Sequence, residues 1–238
     1  MRRDMELAGR ILGMNRHVGS ISHNDLEALV DAFYRACSVS TVARRVATVN
    51  GFMRWLAEQG AADLLPTPAP QVEPPLPTVL DRGQVRRLLE ATKAGTDARS
   101  AFLVRLVLTT AMKRHEVMAL KVGDVALDAE PPYVAIRGKR HKRRNVTVPD
   151  ELRHFYEAYR EQYAPVERVF PVTSRRLEYD LEDLSEALDA PVNFTAMRWT
   201  AALRDLQAGM APERLRRKLG LSEMTWDRTL ERLRRVAV

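Results

Sequence analysis

The stretch PPYVAIRGKRHKRRNVTVP, residues 131–149, contains the pattern that decides the fold. Apolar and polar side chains alternate at both of its ends, which are rich in β-branched residues. This pattern predicts strands over 131–139 and 143–149. The tip of the resulting β-hairpin runs from Gly138 to Lys142. Together with the helical spacing described next, it indicates a mainly α fold with a small antiparallel β-sheet (α+β).

Apolar residues recur at helical spacing on both sides of this hairpin. Asp81 and Gln84 form a capping pair at the start of one such segment. The segment VGDVALD, residues 122–128, is interpreted as a turn. Besides a short helix within 1–13, the expected helices cover residues 24–36, 40–59, 84–92, a helical region of one or two helices over 97–121, and then 150–162, 181–188, 194–208, 212–219 and 224–235.

A proline-rich stretch, LPTPAPQVEPPLP at residues 65–77, separates two parts of the chain. Six prolines restrict the backbone toward polyproline II and exclude a helix, so we interpret this stretch as a linker. It predicts a helical domain over residues 1–64 and a second domain over residues 78–238.

The charge balance indicates a polyanionic partner. The 238 residues include 38 Lys and Arg against 31 Asp and Glu, a net charge of +7. This excess favours nucleic acid first and an anionic membrane surface second. No apolar run reaches the roughly 20 residues of a membrane span, and the single Cys37 can form neither an internal disulfide nor a multi-cysteine metal site. We therefore expect a cytoplasmic, nucleoid-associated protein without cofactor or metal.

Basic side chains cluster at the hairpin and recur near the C-terminus. No acid lies within the hairpin cluster, so its like charges favour contacts with phosphates. Arg198 lies among apolar neighbours and needs a partner, either a bound phosphate or a carboxylate such as Glu116. The predicted DNA-binding set is Arg44 and Arg45 facing a groove, Lys113, Arg137, Lys139, Arg140, Lys142, Arg143, Arg144 and Arg198.

Five segments resemble, in the correct order, the tyrosine recombinase (phage integrase, Xer-like) family. They are SVSTVARRVATVNGFMRWLAEQG (38–60), LPTVLDRGQVRRLLEAT (76–92), LTTAMKRHEVMALKVGDVAL (108–127), VAIRGKRHKRRNVTVPDEL (134–152) and NFTAMRWTAALRDLQAGMAPERLRRKLGL (193–221). The resemblance implies that residues 1–64 form the family's SAM-like core-binding domain and residues 78–238 its catalytic-type domain. The two domains would clamp duplex DNA.

The family's catalytic positions are only partly kept in this sequence. The first arginine falls at Lys113, the histidine of the His-x-x-Arg motif at Thr195, and the next His or Trp at Leu221. The nucleophilic tyrosine falls at Leu230, and no tyrosine follows Tyr179. Lysine keeps a charge without the guanidinium fork, and leucine has no oxygen to attack phosphorus. The kept positions are Lys139 and Arg198.

These departures imply an inactive homologue that binds double-stranded DNA without cutting it. It would act as an accessory, architectural or regulatory factor, with an active recombinase or another DNA-bound protein as its candidate partner. Since ERLRRVAV, residues 231–238, leaves little tail to exchange between protomers, we expect a monomer or weak association on DNA.

Other functions stay open. Residues 211–235 also resemble a helix-turn-helix of a transcription regulator. An active recombinase could use another nucleophile among Ser222, Thr225 and Thr229, although no histidine follows His154 to activate one. A metal enzyme would need the acidic residues at 178–183 to converge.

Overall fold

The protein is described by a computed structural model that covers residues 2–61, 67–93, 97–138 and 143–237. The chain divides into two compact units, residues 1–75 and 76–238, called unit 1 and unit 2 below.

Unit 1 is built from helices around one apolar cluster. Its described helices are α1 (Arg2–Leu12), α2 (His23–Ala36) and α3 (Val39–Glu58), with a 3-10 turn at Val18–Ser20. Ser22 and Asp25 form a capping box that starts α2. The predicted helices 24–36 and 40–59 are confirmed to within one residue. The cluster joins Ala8, Leu26, Leu29, Phe33, Val42, Val46, Val49, Met53 and Leu56.

The predicted linker is partly within the described residues. Residues 67–81 contain neither helix nor strand. Its start is bound to α3, since Asn50 Nδ2 donates to the Thr67 carbonyl at 2.7 Å and the Thr67 N–H donates to Asn50 Oδ1 at 3.0 Å. This pairing leaves Thr67 buried.

Unit 2 contains eight helices among its described residues. The Asp81–Gln84 capping box starts α4, as predicted. Helix α8 begins seven residues before the predicted start, because Thr173 caps its first turn. The helices are α4 (Arg82–Ala91), α5 (Ala98–Thr110), α6 (Arg114–Ala119), α7 (Glu151–Tyr163), α8 (Ser174–Leu188), α9 (Phe194–Gln207), α10 (Pro212–Leu219) and α11 (Glu223–Ala237).

The sheet of unit 2 has three antiparallel strands, β1 (Val125–Ala126), β2 (Tyr133–Arg137) and β3 (Arg143–Thr147), in that order. Pairing of Val134 with Val146 and Arg137 with Arg143 confirms the predicted hairpin strands, whose tip at residues 139–142 lies outside the described residues. The turn predicted at 122–128 is confirmed at Val122–Asp124, which form a 3-10 turn, but Val125 pairs with Val134 and adds the short strand β1. The expected fold class, mainly α with a small antiparallel sheet, is confirmed.

Two apolar clusters organise unit 2. The larger one surrounds α5, whose Phe102, Leu103 and Leu106 are fully buried. The smaller one joins α9, α10 and α11 through Ala111, Ala201, Ala202, Leu215, Leu219, Trp226 and Leu233. Because the second cluster includes Ala111 from the end of α5, it brings the α5–α6 turn beside the α10–α11 turn.

Candidate nucleic-acid interface

Three segments singled out in the sequence meet around one cavity of unit 2, with a volume of about 590 Å³. We call this cavity the hairpin pocket. It lies between the α5–α6 turn, the base of the β2–β3 hairpin and the α10–α11 turn. Its lining residues are Lys113, His115, Glu116, Gly138, Arg143, Arg144, Arg217, Gly220, Leu221, Ser222 and Thr225.

The α5–α6 turn is shaped by local hydrogen bonds. Ala111 adopts a left-handed conformation and ends α5 by donating its N–H to the Val107 carbonyl at 2.9 Å. Glu116 Oε2 accepts the Lys113 N–H at 2.8 Å, which closes the first turn of α6. Lys113 is thereby held half-buried at the edge of the pocket.

A buried ion pair forms one wall of the pocket. The guanidinium of Arg144 donates to both oxygens of Glu116 at 2.8 Å, with the side chains 13% and 2% exposed. Arg144 Nε also donates to the Lys218 carbonyl at 2.7 Å. Burial alone would raise the pKa of the Glu116 carboxyl, but the hydrogen bonds and charge of Arg144 outweigh it and leave the pKa below its ordinary value. Arg144 thus binds β3 to α6 and to the end of α10.

Arg198 lies beneath the same turns and is only 5% exposed. Its two terminal nitrogens donate to the backbone carbonyls of Ala111 and of Leu219, the latter at 2.7 Å. Burial lowers its pKa to about 10, against the opposing charge of Glu116. Glu116 is not its hydrogen-bond partner, because α9 places the guanidinium between the ends of two helices, whose last carbonyls have no partner within the helix. The contact of Arg198 with a bound phosphate stays a prediction.

The α10–α11 turn requires glycine. Gly220 has φ +60°, and a Cβ there would lie 2.9 Å from Nη1 of Arg144. The next residue, Leu221, lines the pocket and packs against the smaller apolar cluster. An apolar side chain therefore occupies a position where the resemblance implies a proton-bearing ring.

Two further family positions lie away from the pocket lining. Thr195 is exposed in the first turn of α9. Leu230, at the position expected for the nucleophile, is half-buried and packs with the cluster of Trp226 and Leu233. The leucine is thus part of the packing that holds α11 on α9.

The hairpin cations divide into paired and exposed groups. Arg137 binds Asp124 through three contacts of 2.7–3.1 Å, and Arg144 binds Glu116. No acid lies within the cluster itself, but folding brings Asp124 and Glu116 from upstream in the sequence to these two arginines. Arg143 is exposed and lines the pocket. Lys139, Arg140 and Lys142 lie outside the described residues.

The predicted groove-facing pair in unit 1 is bound to a carboxylate. Both Arg44 and Arg45 form ion pairs with buried Asp4, and hydrogen bonding to Arg44 holds the pKa of Asp4 below its ordinary value. Arg45 also donates to Cys37 Sγ at 2.7 Å and lies over the Phe33 ring. The prediction that both side chains face outward is wrong for Arg45, whose side chain is 19% exposed, whereas that of Arg44 is 56% exposed.

Tertiary structure also places a histidine in the lining of the cavity that contains the hydroxyls of Ser222 and Thr225. His115 lies on α6, yet it lines the same cavity as Ser222 and Thr225. The expectation of no nearby histidine was therefore correct only along the sequence. No local signal in the sequence indicates that these residues share a cavity, since the cavity arises from the approach of α6 to the α10–α11 turn.

The acidic segment 178–183 is engaged in ion pairs. Asp180 is buried and binds Arg99 at 2.7 Å and Arg176 at 3.1 Å, and Glu178 binds Arg114. Within the described ranges, no group of three or more His, Cys, Asp or Glu side chains could hold a metal ion. None of the helices described is both long and apolar enough to cross a membrane.

Size does not identify the site. A larger cavity of about 1040 Å³ lies between α4 and α9, lined among others by Arg86, Leu89 and Leu203. It includes none of the family positions. The hairpin pocket is the candidate because Lys113, Leu221 and the hairpin base converge there.

Comparison with known proteins identifies relatives of this chain. A model of the phage integrase family matches residues 78–225. The chain is 30% identical to the tyrosine recombinase XerD of Caulobacter vibrioides over 168 residues, 66% of this chain and 53% of that protein. It is 32% identical to a tyrosine recombinase XerC of Roseiflexus castenholzii over 155 residues, 60% of this chain and 49% of that one. The chain therefore spans about half the length of these curated relatives.

Solved structures share the fold at low sequence identity. XerH recombinase bound to its difH substrate superposes with a TM-score of 0.73 at 18% identity, covering 98% of this chain and 75% of that one. A lambda integrase dimer bound to a core site superposes with a TM-score of 0.75 at 12% identity, covering 96% of this chain and 86% of that one.

Proposed function

Because the chain belongs to the phage integrase family, whose model matches residues 78–225, we propose that it binds duplex DNA without cleaving it. It acts in this proposal as an accessory, architectural or regulatory factor in recombination, at the nucleoid and beside an active recombinase or another DNA-bound protein. The net charge of +7 supports binding of a polyanion. The XerH and lambda integrase structures with this fold hold DNA.

The observation on which the proposal depends is the residue at the nucleophile position. Leu230 supplies no oxygen, its side chain packs in an apolar cluster, and no tyrosine follows Tyr179 in the sequence. Attack on a phosphodiester requires a nucleophilic atom, and proton transfer requires a titratable group. Leu221 and Thr195 replace the family's ring side chains at two further positions. In this proposal the chain therefore lacks the family's nucleophile and two of its ring side chains.

Binding needs only charge and shape, and these are kept. Lys113, Arg143 and Arg217 line the hairpin pocket, where a phosphate of the duplex would lie. Arg144 and Arg198 shape the pocket through Glu116 and backbone carbonyls.

One observation favours a second candidate, strand cleavage by a hydroxyl. Ser222 and Thr225, 3.1 Å apart, line the hairpin pocket together with His115. In that reaction a hydroxyl oxygen would bond to phosphorus and its proton would pass to the histidine. The bond from phosphorus to the 5′ oxygen would break, and that oxygen would take up the proton and leave as a 5′ hydroxyl. The product would be a phosphoserine or phosphothreonine link. No observation favours the helix-turn-helix alternative over the family fold, since residues 212–225 lie within the segment that the family model matches.

A gel-shift assay with a pool of nicked duplexes tests both candidates. We expect retardation at about 50 mM salt that weakens strongly at about 200 mM, because phosphate contacts release counterions. We expect no adduct that survives denaturation. An adduct on Ser222 or Thr225, lost in Ser222→Ala or Thr225→Val, would establish the second candidate. Absence of retardation at low salt would refute DNA binding altogether.

A further inference from the structure

A second cavity of unit 2, about 400 Å³, lies between β3 and α10. We call it the β3–α10 groove. Arg144 and Arg217 line both this groove and the hairpin pocket, so the two cavities are neighbours. The described lining contains no acidic residue and consists of Arg144, Asn145, Val146, Thr147, Met210, Arg214, Arg217 and Lys218.

The cations of the groove differ in availability. Arg144 binds Glu116, and Lys218 Nζ binds Asp205 at 2.6 Å, each with a side chain only 13% exposed. The side chain of Arg217 is 71% exposed and its Nε lies 3.9 Å from Glu213. Arg214 is exposed and forms no hydrogen bond or ion pair with any residue that the structure describes. Arg214 and Arg217 can therefore bind an external anion without first breaking a buried pair.

The walls of the groove are fixed by the paired cations. The hydrogen bond from Arg144 Nε to the Lys218 carbonyl, at 2.7 Å, joins β3 to the end of α10. Asn145 and Thr147 alternate on the exposed side of β3 and add uncharged hydrogen-bonding groups. Arg216 on the same helix is directed elsewhere, since it binds Glu213 at 2.6 Å. Among the cations of α10 that line the groove, Arg214 and Arg217 are therefore the exposed ones.

We infer that the β3–α10 groove binds the sugar-phosphate backbone of duplex DNA, with Arg214 and Arg217 contacting phosphates adjacent to the one in the hairpin pocket. This inference rests on the proposed DNA binding. Successive phosphates of one strand are only about 3.4 Å apart along the duplex axis, so neighbouring cavities can hold the same strand. Phosphate contacts position a protein without reading sequence, so the groove would set the register of the duplex over the pocket.

Arg214→Gln tests the groove alone, because Arg214 does not line the hairpin pocket. Loss of one phosphate contact should reduce the magnitude of the log Kd against log salt slope by about one, which is about an eightfold weaker affinity at about 0.1 M salt. The loss should be equal for duplexes of unrelated sequence. Arg214→Lys keeps the charge and should retain the slope.

Arg87→Gln is the matched control. Arg87 is an exposed arginine of α4 that forms no ion pair with a described residue and lines neither cavity. Its loss should leave the slope unchanged, and both variants should melt at the wild-type temperature. An unchanged slope in Arg214→Gln, or an equal loss in Arg87→Gln, would overturn the groove while leaving DNA binding intact. A wild-type protein that fails to bind any duplex would overturn both.

Discussion

Each unit of the molecule contains a buried carboxylate beside two arginines, but the two clusters differ in what they build. In unit 1, Asp4 of α1 binds Arg44 and Arg45, which are adjacent on α3. In unit 2, Glu116 of α6 binds Arg144 from β3, while Arg198 from α9 binds two backbone carbonyls. The first cluster joins two helices. The second joins the α5–α6 turn, β3, α9 and the end of α10 around a cavity.

The difference shows that tertiary structure determines which cations remain exposed to a ligand. An arginine in a basic run can form an ion pair with an acid that is distant in the sequence. Such an arginine then shapes a site without contacting the ligand. In unit 2 this leaves Arg143, Arg214 and Arg217 exposed beside pairs that are largely inaccessible to water. Three predictions test this contrast between the two units.

The largest effect is expected for Glu116→Gln, which removes the charge that balances Arg144 in a nearly closed environment. Removal of one partner from a buried pair leaves an uncompensated charge, so we expect a loss of about 3 kcal/mol in the free energy of unfolding. Urea unfolding followed by circular dichroism measures it.

Asp4→Asn in unit 1 is the matched comparison. Its effect should be smaller, because the half-exposed Arg44 can return to water when the carboxylate is neutralised. An equal or larger loss than that of Glu116→Gln would contradict the contrast between the two clusters.

The pH dependence gives the second prediction. The pKa of Glu116 in the folded protein lies below its ordinary value of 4.5. Its stabilising contribution is therefore complete above that value and is lost as the pH falls through the folded pKa. The difference in unfolding free energy between the wild type and Glu116→Gln should be constant near neutral pH and should shrink below about pH 4.5. A difference that persists unchanged to about pH 3 would show that the charge of Glu116 does not stabilise the fold.

The smallest effect is expected from two glycines with nearly equal backbone angles. Gly60 in unit 1 has φ +67° with nothing near an added Cβ, and Gly220 in unit 2 has φ +60° with Arg144 only 2.9 Å away. Alanine at Gly60 should cost about 1 kcal/mol for the left-handed backbone alone. At Gly220 it should cost about 1 kcal/mol more, because Arg144 must move away from Glu116. Equal melting temperatures of the two variants would show that Arg144 can move away from an added Cβ without a cost in stability.

Much of the local structure followed from residue patterns. The bounds of α3, the Asp81–Gln84 capping box and the pairing of β2 with β3 depend on neighbours within a few residues, so periodicity and capping predicted them. Trp226 packs in a core cluster, but Trp55, on an equally periodic helix, is 52% exposed. Periodicity indicates the buried face of a helix but not where its edge meets water.

By itself, the sequence determined that the chain has two parts and that the second holds a basic hairpin between helices, because these depend on local pattern. Tertiary structure alone decided that Arg144 binds Glu116, 28 residues away, that Arg198 binds the carbonyl of Ala111, 87 residues away, and that His115 shares a cavity with Ser222. The reason is physical: the free energy of a charged side chain depends on its solvent exposure and its nearest partners, and folding creates both.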